Sequence, residues 1–355
     1  MTNCRDEFQL LLENTFVSSK GSKDQIYTEM MSFLQKVLSF IPDSLFRYRS
    51  LSHGSHTIKS FEEGTISLCT AKCFSDKYDS LVFVDEVKEC ADIKTALKAG
   101  IMNVMKSRKE RSPLVRAEKA AQICYYLEQG LSEQEVAETI INEHYSDYLN
   151  KVGIELKQRE SRYRDSHETA RIACFTESVQ SKFMWDTYAG GYSGFALEYD
   201  LKKLFINCIN KGIAAYVFPV IYTDKRPDLT IDEANYYCIS NAQKEGWVKY
   251  LNPLRPFLNY NLLYPHKPFL YKDKEEYGHE KEWRLLYYGM NNHEDHIGIP
   301  DEGCLKAIYY GMDIKKDDLE ALHRIALKKG IKEYFVSIDN HSRKYSLEIN
   351  PIIPE

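Results

Sequence analysis

The chain has 355 residues, with 47 Lys+Arg against 52 Asp+Glu, a formal net charge of −5, 43% hydrophobic and 28% charged residues. That mix excludes bulk disorder and a fibrous protein, and the length fits one large domain with insertions or two modest domains. The mildly acidic balance argues against non-specific duplex binding as the main task. Tyrosine is over-used: 26 residues against 16 Phe and 3 Trp, and its flat face and polar tip suit ring stacking, interfaces and wet cores alike.

No stretch approaches the roughly 20 apolar residues of a membrane helix, and MTNCRDEFQLLLENTF lacks the basic start and apolar core of a secretory signal. The nine cysteines are scattered and form no CxxC. A cytoplasmic protein with free, mostly buried thiols and no membrane partner is the expectation.

In chain order, residues 6–40 read as helical, interrupted at Ser18–Lys23 and closed by Pro42. SLFRYRSL (44–51) alternates as a strand. HTIKSFEEG is a short helix ended by Gly64, and TISLCTAKCF (65–74) is a second strand. Residues 91–150 form a helical block divided by Pro113 and Gly130, with a capping box from Ser132 to Glu135. The charged run 154–168 is a solvated helix or loop. Strands follow at 171–176, 195–201 and 214–222, with a short helix and a Gly190-Gly191 exit between the first two. Residues 232–263 read as helical, 280–289 and 306–311 as strands, and 321–330 as a helix ending at Gly330. A hairpin turning at Asp339-Asn340 closes the chain. The predicted fold is α+β: a mixed or antiparallel sheet of short strands, a helical insertion at about 91–168 and an N-terminal helical extension over 1–43. The main domain is 44–340 and a C-terminal strand and tail is 341–355. GxGxxG and GxxxxGKS are both absent, which removes the Rossmann and P-loop routes to nucleotides.

Several constellations can carry chemistry. In FRYRS, Arg47 and Arg49 share one strand face while Phe46, Tyr48 and Ser50 take the other. Two adjacent guanidiniums suit forked recognition of phosphate or carboxylate, and equally a solvent-facing edge or a structural ion pair. In EKEWRLLYYG, Glu280, Glu282 and Arg284 share a face. Paired carboxylates can orient a sugar hydroxyl and stabilise a developing cation, or simply form a charged strand face. Trp185, Tyr188 and Tyr192 can stack a base or nicotinamide ring, or pack a helix on the sheet. Asp76 and Asp79 follow a strand end, a place for site residues and for ordinary turns. Zinc ligation by His53, His56, Cys69 and Cys73 is disfavoured, because the spacing is not that of a finger and the cysteines would share a strand face. His293 and His296 read as a solvated polar loop. A divalent-metal site from Asp76, Asp79, Glu198, Glu280 and Glu282 is a weaker alternative. The basic run 106–119 reads as a solvated helix face that could also meet nucleic-acid phosphates.

In this order the pieces FRYRS, FEEGTISLCTAKCF, FSDKYD, CFTES, MWDTYAGGYSGFALEYD, EKEWRLLY and IYYG resemble the bacterial domain of unknown function number 2971, over roughly residues 44–340. The pattern departs at Ser75-Asp76-Lys77-Tyr78, where the family has Asn-Asp-Pro-Phe, and at Tyr277, where it has Trp. A looser likeness is to ADP-ribosyltransferases. It implies NAD as substrate, with Arg47 or Arg49 on the pyrophosphate or ribose. Tyr48, Trp185, Tyr188 and Tyr192 would provide stacking, Asp76 and Arg284 would support the cofactor, and Glu280 and Glu282 would be catalytic. The resemblances imply a nucleotide or small-molecule substrate, a nucleic-acid or protein acceptor, and a phage-defence or toxin-type context; on the ligand spacings above no metal is expected. The alternatives are a metal-dependent nuclease or phosphoesterase, and a non-enzymatic nucleotide-sensing or protein-binding module.

Overall fold

The computed structural model describes residues 4–14, 16–17, 23–52, 55–83, 85–109, 117–147, 149–150, 170–229, 260–261, 264–289 and 294–352. Its elements in chain order begin with α1 (Cys4–Asn14), β1 (Phe16–Val17), α2 (Lys23–Phe40), β2 (Leu45–Arg49), α3 (Ser55–Glu63) and β3 (Thr65–Cys69). The helical block follows as α4 (Glu86–Lys109), α5 (Ala117–Glu128) and α6 (Glu133–His144). Then come β4 (Arg171–Thr176), α7 (Lys182–Tyr188), β5 (Phe195–Tyr199), α8 (Leu201–Asn210), β6 (Ala215–Pro219) and β7 (Ile221–Thr223). The last third holds β8 (Tyr260–Asn261), β9 (Tyr271–Asp273), the single turn α9 (Lys274–Tyr277), β10 (Glu282–Tyr287), β11 (His296–Pro300), β12 (Leu305–Tyr310), α10 (Lys316–Lys329), β13 (Lys332–Ile338) and β14 (Leu347–Pro351). This is an α+β protein built on a mixed ten-stranded sheet. No helix among the described residues is long and apolar enough to cross a membrane.

Local chemistry explains where elements stop. Gly64 and Gly330 take left-handed backbone at φ 66° and 62° and end α3 and α10. Ser132 caps α6 in the expected box with Glu135. Asp200 turns the end of β5 into the N-cap of α8, accepting from Lys203 N, where the pattern alone reads a longer strand to 201. The strand read over 65–74 stops at Cys69, and Ala71–Cys73 forms a 3₁₀ turn instead. The strand read over 280–289 begins only at Glu282, because Gly278–Glu280 is a 3₁₀ turn and Lys281 adopts left-handed backbone at φ 49°. The run 214–222 breaks at Val220, and β7 pairs with β9 outside the main sheet. The helix read over 232–263 and the run 154–168 lie outside the described residues, apart from Tyr260–Asn261, which form strand β8.

The sheet forks at β4. One edge of β4 pairs with β10 along its whole length, Glu282 opposite Thr176 through Tyr287 opposite Arg171. The other edge is shared: β2 meets it at Phe46 and Thr176, and β3 meets it at Cys69 and Ile172. Both newcomers run antiparallel to β4, so either ladder, if continued, would claim the same positions. They must diverge. β2 leads into β5, β12, β13 and β14, and β3 leads into β11. β12 and β13 are parallel and joined by α10, as a parallel pair requires a crossover.

Apolar faces fill the space between. Phe61, Ile66, Leu68, Phe175, Phe195, Leu197, Trp283, Ile308 and Leu322 belong to one buried cluster, which α1 enters with Phe8 and Leu12. The N-terminal helix is therefore part of the main core. Arg5 enters with it, its Nη1 donating to Val220 O at 2.6 Å and Glu282 O at 2.8 Å, and its Nη2 pairing with Glu177 at 2.6 Å. The helical block has its own small core of Met105, Ile123, Val136, Ala137 and Ile140.

Candidate functional site

β10 and β9 carry a densely charged interior. Alternation along β10 sends Trp283 to one face and Glu282 and Arg284 to the other. Arg284 is fully buried, and Glu282 and Glu280 are 4% and 3% exposed. Asp79, from the turn after β3, receives Arg284 in a fork: Nη1 to Oδ1 at 2.9 Å and Nη2 to Oδ2 at 2.5 Å. Arg284 Nε donates to Glu282 Oε1 at 2.7 Å, and Nη1 also reaches Phe269 O. Lys272 on β9 donates to Glu280 Oε2 at 2.9 Å and Glu282 Oε2 at 3.1 Å, with its ammonium 4.0 Å from the Tyr277 ring centroid. Tyr188, at the end of α7 and 41% exposed, donates to Glu280 Oε1 at 2.5 Å.

The electrostatics follow from this pairing. Burial alone would push the Glu282 carboxyl up, but Arg284 and Lys272 hold it down at about 2. Burial would likewise lower the Lys272 ammonium, but Glu282 and Glu280 hold it above its usual range. Burial, then the bond to Glu280, keeps the Tyr188 hydroxyl protonated well beyond neutral pH. Burial, then the charge of Glu282, pushes the Cys174 thiol well up. The Tyr277 hydroxyl rises to about 12 through burial and the nearby Asp76.

The predicted residues fall into three groups, with Asp76 apart from all of them. Glu280, Glu282, Arg284 and Tyr188 come together in the network just described. Tyr48, Trp185 and Tyr192 pack on one another: Tyr48 meets Trp185 edge-on at 5.0 Å, and Tyr192 stacks on Trp185 at 6.1 Å. Trp185 is fully buried, with its ring nitrogen donating to Val179 O at 2.7 Å. The Tyr48 hydroxyl donates to Ser178 O. These rings spend their faces on the core. Asp76 accepts from Tyr78 N at 2.8 Å and serves its own turn.

Arg47 and Arg49 form the third group. They lie opposite Leu197 and Phe195 in the β2–β5 ladder and alternate with Tyr48, so they face away from Trp185 and into the fork. Arg47 lies 5.7 Å from the Phe175 ring centroid. Both side chains are half-buried. Among the described residues neither guanidinium has a hydrogen bond or a carboxylate partner. Burial lowers Arg47, and burial together with the charge of Arg47 brings Arg49 down to about 10. Cys174 on β4 stands within electrostatic reach of Arg47 on one side and of Glu282 and Arg284 on the other.

Residues that sequence reasoning did not single out complete the picture. Lys272 and Cys174 belong to the acidic network, and Arg5 secures the backbone of Glu282. Lys272 sits on a three-residue strand outside the main sheet, and only the topology brings it beside β10.

Comparison with known proteins addresses the acidic network first. Residues 184–285 match the family model described as Protein of unknown function (DUF2971). The DUF2971 match is shorter than the span 44–340 suggested by the motifs. It starts in α7 and ends in β10, and it includes Tyr188, Glu280, Glu282 and Arg284 but neither arginine of β2. Comparisons with curated proteins and with solved structures gave no match.

Proposed function

We propose that the protein binds a diphosphate-bearing nucleotide through Arg47 and Arg49, and that it acts on NAD as an ADP-ribosyltransferase-like enzyme. The supporting observation is the pair of half-buried guanidiniums on β2, adjacent on one strand face and without a carboxylate partner among the described residues. Of the other buried guanidiniums, Arg5 and Arg284 bond carboxylates and Arg171 donates to Glu294 O at 2.7 Å. Unpaired charge in a partly desolvated fork is costly, and an anion relieves it. A diphosphate fits two forked donors on one face.

In this reading the bond from ribose C1′ to the nicotinamide nitrogen breaks, and nicotinamide leaves with the bonding electrons. A carboxylate stabilises the oxocarbenium-like cation, and the acceptor nucleophile then adds and loses its proton. Glu280 is the carboxylate nearest the surface, behind half-exposed Tyr188, but it lies on the sheet face of Tyr48 and Trp185, opposite the face of Arg47 and Arg49, which favours the sensor reading over turnover. Glu282, bonded to both Arg284 and Lys272, positions the group. A role in phage defence or as a toxin belongs to the same proposal and predicts growth arrest on expression. A second reading, a nucleotide sensor without turnover, gains support from how completely the carboxylates are engaged. Metal-dependent hydrolysis gains none, because Lys272 and Arg284 already occupy the carboxylate oxygens a metal would need.

The test uses NAD labelled in its ADP-ribose half, with purified protein and cell extract. Nicotinamide release with label transfer, lost in Glu280→Gln, supports the enzyme. NAD binding without release supports the sensor. Absence of both refutes the proposal.

A further inference from the structure

β3 and β11 place Cys69 directly opposite His296. The 3₁₀ turn Ala71–Cys73 then folds the chain back, so that Cys73 joins them. The two thiol sulfurs and a ring nitrogen of His296 all lie within 4.8 Å of one another. Cys73 Sγ is 3.5 Å from His296 Nε2. From this cluster we infer that Cys69, Cys73 and His296 form a zinc site with three protein ligands and a fourth position facing solvent.

The distances carry the inference. With Zn–S about 2.3 Å, Zn–N about 2.0–2.1 Å and a tetrahedral angle, the S···N edge of a zinc site is about 3.6 Å. The Cys73–His296 separation meets that value without rearrangement. Two thiols and an imidazole are the ligand chemistry that selects zinc over magnesium or calcium. The ligands are also braced. Thr70 Oγ1 lies 3.6 Å from Cys73 Sγ and donates to Asp295 Oδ1 at 3.2 Å. Thr70 N donates to Asp295 O at 3.0 Å, and Cys73 N to Thr70 O at 3.0 Å. Such outer contacts fix ligand direction before metal arrives. Cys73 and His296 are exposed, which leaves an entry path and an open coordination position.

Binding replaces two S–H bonds with two Zn–S bonds and releases two protons, while the neutral imidazole donates its lone pair. The expectation of no metal rested on spacing unlike that of a finger, on Cys69 and Cys73 sharing a strand face, and on His296 as loop. The early end of β3 and the presence of β11 remove the last two premises. No member of the acidic network takes part, but Cys69 lies within electrostatic reach of Arg47 and Arg49, so this site adjoins the proposed diphosphate site.

The experiment measures metal directly. The full chain, purified reduced and exposed to zinc, is desalted and its zinc counted by mass spectrometry. Cobalt is substituted in parallel. About one zinc per chain and a thiolate-to-cobalt charge-transfer band are expected. Both are lost in Cys73→Ser and in His296→Ala, which keep native far-UV circular dichroism because these side chains are exposed. Cys124→Ser, in the helical block, keeps both signals. Absence of bound zinc and of the cobalt band in the unaltered chain overturns the inference. So does retention of zinc in both ligand variants.

Discussion

Glu282→Gln tests whether the interior network holds β10 in place. The substitution keeps the volume and removes one charge. Glu282 is the carboxylate bonded to both cations, Arg284 Nε at 2.7 Å and Lys272 Nζ at 3.1 Å. A carboxyl held at about 2 rather than its ordinary 4.5 corresponds to about 3 kcal/mol at neutral pH. The formal count moves from three carboxylates and two cations to two of each, which softens the loss. The orphaned donors of Arg284 and Lys272 add to it, and breaking a buried pair costs roughly 3–5 kcal/mol in other proteins. We expect a loss of about 3 kcal/mol in urea unfolding at pH 7, followed by tryptophan fluorescence, with the slope unchanged. The sign with pH is fixed. The folded carboxyl stays ionised down to about pH 2, whereas the unfolded one protonates near 4.5. Its contribution is therefore complete above pH 4.5 and fades as pH falls toward 2. The deficit of the variant should close over that interval. A deficit below about 1 kcal/mol at pH 7, or one of equal size at pH 7 and pH 3, would refute the reasoning.

Three further outcomes follow from other parts of the molecule. Arg5→Ala should cost about 3 kcal/mol in the same assay, because it removes an ion pair with Glu177 and two bonds to buried carbonyls of Val220 and Glu282. A loss under about 1 kcal/mol would mean that α1 is not docked as described. Arg49→Met should instead stabilise the protein by about 1 kcal/mol, discounted for partial exposure, since it removes a desolvated, unpartnered charge. Destabilisation by that change would point to a structural partner for Arg49. His266 is kept neutral by burial, its value lowered to about 3, and it packs against Tyr216, Phe218 and Tyr288. The unfolded chain takes up this proton below about pH 6.5 and the folded chain does not, so stability falls with acid between pH 6.5 and 3. His266→Phe should flatten that limb of the stability profile, and an unchanged limb would contradict it.

Much of the fold was legible in the sequence because its signals are local. The alternation of FRYRS, Gly64 and Gly330 after their helices and the box at Ser132 are each settled within a few residues, whereas the turn read at Asp339-Asn340 into KYSLEI begins at Asp339 but runs on to Leu347, where the second strand starts. Where a polar side chain bends the backbone, the pattern misleads. Asp200 starts α8 where alternation runs on, and the turn at Gly278–Glu280 removes Glu280 from the strand. The family motifs marked Glu280, Glu282, Arg284 and Tyr188, which do converge. Asp79, grouped with Glu280 and Glu282 by the carboxylate alternative, joins them, while Lys272 and Cys174 complete the group from distant elements that no spacing rule connects. The opposition of Arg47 and Arg49 to Tyr48 was legible from strand period alone. The fork at β4 that encloses them depends on long-range pairing, and so does the meeting of Cys69 with His296 across β3 and β11.

In the proposed reading Arg47 and Arg49 receive the diphosphate of a nucleotide. Calorimetric titration of NAD and ADP into the unaltered chain and into the Arg47→Met, Arg49→Met double variant tests it most directly. Binding to the unaltered chain is expected, weakened at least about 100-fold in the double variant through loss of two charge-assisted contacts. The thermal stability of the variant without ligand should be equal or higher. Binding of equal strength to both proteins, or to neither, would contradict the account.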